Sequence, residues 1–97
     1  MNMSEARTIL DAVLAAYRAR LYSDLRARIG KPATGVIAAR SGAVYQIEVQ
    51  VFWDDKPDGN IRVLGSIDDG GLRAFVPLCA GFIIAPDGRF VGKPESN

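Results

Sequence analysis

The sequence has no histidine and a single cysteine, Cys79. Without an imidazole there is no Ser-His or Cys-His pair, and no side chain whose ordinary pKa lies near neutrality. One cysteine without histidine also falls short of a zinc site. A lone cysteine cannot close an internal disulfide, which points to a reducing compartment. Cys79 stands in Pro77-Leu-Cys-Ala-Gly-Phe82 with no adjacent cation, and reads as a small buried hydrophobe rather than an activated thiolate. A basic excess is missing too: 12 Lys and Arg face 11 Asp and Glu, whereas nucleic-acid-binding domains carry a clear positive surplus. No apolar run approaches the ~20 residues that cross a bilayer. The opening MNMSEARTILDAVLAAYRAR carries Glu5 and Asp11 and lacks the basic-then-apolar order of a signal peptide. The expectation is a cytoplasmic protein that uses no metal and no cofactor and does not enter a membrane.

What is present suits one folded domain. The 97 residues are 48% apolar and 24% charged, enough for a core and for a solvated surface. Leu10, Leu14, Tyr17, Leu21 and Leu25 recur at spacings of three and four, predicting one amphipathic helix over residues 4–29. Ser4 would cap its start and Gly30 would end it in a left-handed conformation before Pro32. Beyond Pro32 the period becomes alternating. Residues 34–40 form a first strand, and Ser41-Gly42 a turn. In Ala43–Trp53, Tyr45, Ile47, Val49, Val51 and Trp53 point one way and Gln46, Glu48 and Gln50 the other. Residues 54–60 are a loop, 61–67 and 72–78 two further strands, and Gly81–Gly92 a short apolar strand, a Pro-Asp-Gly turn and a return. A helical turn over 78–84 is the alternative for its first part, and the tail 93–97 is expected to fray. The fold class predicted is α+β, one N-terminal helix packed on a four- to five-stranded antiparallel meander.

The segment Ile67-Asp-Asp-Gly-Gly-Leu72 is the most conspicuous motif. Asp68 and Asp69 followed by two glycines match a hairpin connection, in which Asp binds turn amides and Gly supplies positive φ. Two adjacent carboxylates in a loop could also hold Mg²⁺ or Ca²⁺ or serve catalysis; such ions need more oxygen ligands than two, and a regular meander would bring Asp87 toward them, but the turn is the favoured reading. The loop Asp54-Asp-Lys-Pro-Asp-Gly59 lacks the alternating acids and distal glutamate of a calcium loop.

Three sets of residues are candidates for binding. If the strands alternate as drawn, Phe52, Leu64 and Phe75 lie on the face turned away from the helix, bordered by Arg62 and Arg73. Such a patch marks a partner or ligand unless Phe82, Ile83, Phe90 and Val91 fold across it. On this basis the chain is expected to be a non-enzymatic module, forming a homodimer or binding a protein through the outer sheet face. A small-molecule site or small enzyme is the alternative, with a pocket between helix and sheet formed by Tyr17, Tyr45, Trp53, Asp68 and Asp69. The weakest is nucleic-acid binding through Arg18, Arg26 and Arg28. Arg20, Asp24 and Arg28 form an i, i+4 ladder instead, and Arg18, Tyr22 and Arg26 share a strip.

The run GSIDDGGLRAFVPLCAGFIIAPDGRFVGKP, Gly65 to Pro94, resembles a segment of small uncharacterised bacterial proteins of the accessory genome. The resemblance spans about residues 60–94 and implies a compact bacterial domain, with no catalytic residue to carry over. The order of helix then meander is similar in shape to cystatin-like folds, which implies nothing about function.

Overall fold

A computed structural model describes residues 1–71 and 76–96, with side chains as far as Gly92. Helix α1 spans Met3–Arg18 and helix α2 spans Tyr22–Arg26; strands β1 to β5 span Ala33–Ala38, Val44–Trp53, Ile61–Asp68, Leu78–Ile84 and Phe90–Ser96. The strands pair in sequence order as one antiparallel sheet, β1-β2-β3-β4-β5. The class is α+β, a helical layer on one face of an open five-stranded sheet.

The predicted single helix is two. Asn2, not Ser4, is the N-cap: its Oδ1 accepts the Glu5 N–H at 3.0 Å, which satisfies one of the free amides of the first turn. The helix ends at Arg18, and Leu21 takes an extended conformation with φ −70° and ψ 153° before α2 begins. Leu21, predicted on the apolar stripe, is 75% exposed. The redirection returns Leu25 to the core and brings the Tyr22 hydroxyl to the Gly59 carbonyl, to which it donates at 2.7 Å. No glycine or proline marks the break, so neighbouring packing, not local chemistry, places it. Gly30 has φ +76°, as a chain reversal after a helix requires, and its N–H donates to Val51 O at 3.1 Å.

Strand β2 follows its predicted alternation: Tyr45, Ile47, Val49 and Val51 are buried, together with Ile61, Val63 and Ile67 of β3 and Leu78, Ala80, Phe82 and Ile84 of β4. They meet Ala6, Leu10 and Leu14 of α1 and Leu25 of α2 in one cluster. Gly65 marks the closest approach, where a Cβ would stand 3.0 Å from Leu10 Cδ1 and 3.1 Å from Leu14 Cδ2. The helices lie chiefly over β3 and β4.

The C-terminal half differs from expectation. The partner of β3 is Leu78–Ile84, in the register Ile67↔Leu78 to Ile61↔Ile84. Of the strand predicted over 72–78, residues 72–75 lie outside the described residues. Val76, which the alternation that turns Phe75 outward would direct inward, is 61% exposed. The apolar run Leu78–Ile84 takes the place beside β3, burying four side chains against the helix layer. The helical alternative over 78–84 is likewise replaced by strand. Strand β5 continues to Ser96, opposite Ala80, where fraying was expected.

Candidate interaction surface

Because both helices lie on one side, the other side of the sheet has no covering layer among the described residues. The register places its side chains in rows. Phe52 pairs with Arg62, Arg62 with Ile83, and Ile83 with Val91. In the next row Gln50 pairs with Leu64 and Leu64 with Gly81. Phe52 and Leu64 are therefore diagonal neighbours on the outer face, as alternation predicted, and both are half-buried. Phe75 and Arg73 lie outside the described residues. Ile83 and Val91 take places that sequence reasoning had assigned to a covering segment: β5 joins the sheet edge rather than folding across. The missed signal is the register of β4, since an unbroken apolar run does not reveal which of its residues face outward.

Arg62 sits within the apolar quarter but is not a loose cation. Its Nε and Nη2 donate to Asp54 Oδ1 at 3.0 and 2.8 Å, which fixes the guanidinium against the start of the 54–60 loop. The opposite end of the face is mixed, an open groove of about 460 Å³ lined by Thr34, Val36, Gln46, Glu48, Ser66 and Asp68 among others, with Val36 and Val44 exposed beside it. Beside Phe52, a depression of about 360 Å³ runs along Gly30, Lys31, Pro32 and Gln50.

The residues proposed for a pocket between helix and sheet do other work. Tyr45 is 1% exposed and its hydroxyl donates to Glu5 Oε1 at 2.8 Å. Tyr17 and Trp53 pack at the margin of the core, and the Arg20 guanidinium lies 5.5 Å from the Tyr17 ring centre. Leu10, Leu14, Ile61, Val63 and Ile67 fill the space between the layers.

The acidic motif is spent on backbone. Asp68 Oδ1 accepts the Gly70 N–H at 2.8 Å and Asp69 Oδ1 the Gly71 N–H at 3.2 Å. The Gly71 amide and the N-terminal ammonium, 3.5 Å from Asp69 Oδ2, hold that carboxyl below its ordinary range. The expected approach of Asp87 fails on topology. Strand β3 ends at Asp68 while the turn after β4 adjoins Ile61, so Asp87 lies at the opposite end of the sheet. The expected pairing across a tight turn at 68–71 gives way to the register Ile67↔Leu78, with residues 72–75 of the connection outside the described residues.

The helix arginines are dispersed over separate partners. Arg20 Nη1 meets Asp24 Oδ2 at 2.7 Å, and Arg28 Nε lies 4.0 Å from Asp24 Oδ1, so the predicted ladder forms even though the helix breaks. These cations, led by the Arg20 hydrogen bond, lower the Asp24 pKa. Arg26 pairs with Asp58, and the Arg18 guanidinium stacks 5.2 Å from the Phe82 ring centre. The Arg18–Tyr22–Arg26 strip is thus divided among a ring, a carbonyl and a carboxylate.

Comparison with known protein families, curated proteins and solved structures finds no match to this chain. No helix among the described residues is long and apolar enough to cross a membrane.

Proposed function

We propose that the chain is a non-enzymatic cytoplasmic interaction module that docks a protein partner on the outer face of its sheet. The observation that carries this reading is the apolar quarter formed by Phe52, Leu64, Ile83 and Val91 on a face over which the described residues place no layer. A sheet buried on one side only normally turns polar residues outward, and apolar ones gathered there favour a partner. The fixed Arg62–Asp54 pair, with Arg62 between Phe52 and Ile83, adds a polar contact of set direction. Asp68, Asp69 and Asp87 are engaged with turn amides and Asp24, Asp54 and Asp58 with arginines, which favours binding over turnover.

A photoreactive side chain at position 64 of the full chain tests this. The protein trapped there, once identified and purified, binds wild type in calorimetry, and Phe52→Asp or Ile83→Asp weakens that binding by about tenfold or more. Partner binding unaltered by both substitutions in folded variants, or an outer face that traps no discrete partner, overturns the reading.

A further inference from the structure

The two edges of the sheet are β1 and β5, and they are protected very differently. Strand β5 meets β4 through a register irregularity between Gly81 and Ile83 and contains Lys93, Pro94 and Glu95. Bulge, charge and proline are the devices that keep a sheet edge from adding another strand. Strand β1, Ala-Thr-Gly-Val-Ile-Ala, has none of them. Its register with β2 is unbroken from Ala33↔Val49 to Ala38↔Val44. All of its residues except Ile37 are exposed, Val36 to 69%.

The phase of the ladder shows which backbone groups are free. The Ala39 N–H donates to Ala43 O at 2.8 Å, so Ala39 and, by alternation, Ile37, Gly35 and Ala33 direct their N–H and C=O toward β2. Thr34, Val36 and Ala38 therefore direct theirs off the edge of the sheet. Pro32, which has no N–H, falls on the same outward phase, where its missing donor costs nothing.

We propose that this edge is a pairing site whose occupant is β1 of a second copy, antiparallel across a two-fold axis at Val36. The inference goes beyond the docking of a partner on the outer face and does not require it. Outward groups must meet outward groups. That excludes the register one residue away, in which Lys31 would confront Arg40 of the other copy. In the register centred on Val36, Val36 exchanges both hydrogen bonds with its symmetry mate and each Thr34 exchanges both with the opposing Ala38. Every free donor of β1 then has an acceptor. The strand has no charge to repel its own copy, and the two Val36 side chains become neighbours on the outer face.

Charge complementarity favours a second copy of this chain over an arbitrary extended peptide. Arg40 is exposed and has no ion-pair or hydrogen-bond partner among the described residues. In this register Arg40 of one copy comes opposite Pro32 of the other, two residues along from the Thr34–Glu48 pair. Arg40 stands in the turn that follows β1, two strand spacings or ~10 Å from the β2 strand that carries Glu48 in the other copy, which brings the two long side chains toward one another. Among the described residues Glu48 bonds Gln50, accepting from its Nε2 at 2.8 Å. The product is a continuous ten-stranded sheet that carries the outer face twice.

Sedimentation of the full chain, with a charge exchange at position 36, tests the inference. Wild type is expected to be a dimer at micromolar concentrations. Val36→Lys and Val36→Glu each place like charges face to face and weaken association by roughly a hundredfold, while circular dichroism remains native because the side chain is exposed. Mixing V36K with V36E restores a dimer. Hydrogen exchange shows the Thr34, Val36 and Ala38 amides protected in wild type and unprotected in V36K. A wild type that stays monomeric up to millimolar concentration overturns the inference, as does a dimer unaffected by V36K. A dimer that V36K spares and Phe52→Asp dissolves assigns self-association to the outer face instead. Loss of the V36K dimer with normal partner binding at Phe52 leaves both proposals standing separately.

Discussion

Tyr45 of β2 donates its hydroxyl to Glu5 Oε1 of α1 at 2.8 Å, and Ser41 Oγ donates to the same oxygen at 2.8 Å. One carboxylate in the first helical turn thereby fastens the helix to the longest strand and to the β1–β2 turn. The hydrogen bond to Glu5, and then burial, raise the Tyr45 pKa. A group with a raised folded pKa contributes stability that is complete below its unfolded value of about 10 and is lost as pH rises through the folded value. Tyr45→Phe should lower the urea midpoint at pH 7 to 9, and the gap to wild type should narrow above about pH 10. A gap independent of pH would assign the loss to packing alone.

Leu14 and Gly65 form a second coupled pair. Leu14→Ala removes a fully packed side chain and is expected to cost about 2–5 kcal/mol. Gly65→Ala forces a methyl to within 3.0–3.1 Å of the Leu10 and Leu14 methyls and should cost about 1–3 kcal/mol. In the double variant the space left by Leu14 accepts part of the new methyl, so denaturation should show less than the sum.

The 54–60 loop is organised around one carboxylate. Asp55 Oδ1 accepts the Lys56 N–H at 2.7 Å and the Asn60 N–H at 2.9 Å. The Lys56 amide is the main reason its pKa is lowered. A lowered folded pKa gives stability that is present above the unfolded value of about 3.9 and is lost as pH falls through the folded value. Asp55→Asn should flatten the stability curve below about pH 4 relative to wild type, followed by urea titration. A Cβ at Gly59 would fall 2.5 Å from that same Oδ1. Gly59→Ala should therefore resemble Asp55→Ala, with little added by combining them.

Cys79 lies on the outer face opposite Ser66, and its thiol donates weakly to the Pro77 carbonyl at 3.6 Å. Burial pushes its pKa up, so little thiolate exists at neutral pH. Iodoacetamide should alkylate it more slowly than a free cysteine at pH 7.5. The rate should still be rising above about pH 10, where a free thiol with pKa about 8.5 has levelled. Normal rates in the folded protein would contradict its burial.

Much of the architecture was legible in the residues. Alternation from Tyr45 to Val51 identified both the longest strand and its buried face, because a period of two permits only one assignment once one side is apolar. Glycine and aspartate marked the turns by their backbone chemistry, as Asp68, Asp69 and Asp87 show by accepting nearby amides. The break at Ala19–Leu21 was not legible, since Leu21 has the spacing and propensity of a continuing helix. The candidate surface was half legible: Phe52 and Leu64 followed from alternation, whereas Ile83 and Val91 depended on which segment paired with β3.

By itself the sequence determined the class of elements, the inner face of β2 and the lack of any imidazole to pair with a serine, a cysteine or a zinc ion. These follow from periodicity and from which functional groups the residues possess. Tertiary structure alone decided that the helix bends, that Leu78–Ile84 is the neighbour of β3, and that one edge of the sheet is plain while the other is guarded. Those outcomes depend on competition among distant segments for the same buried area and the same backbone partners, and no local stretch of chain contains its competitors.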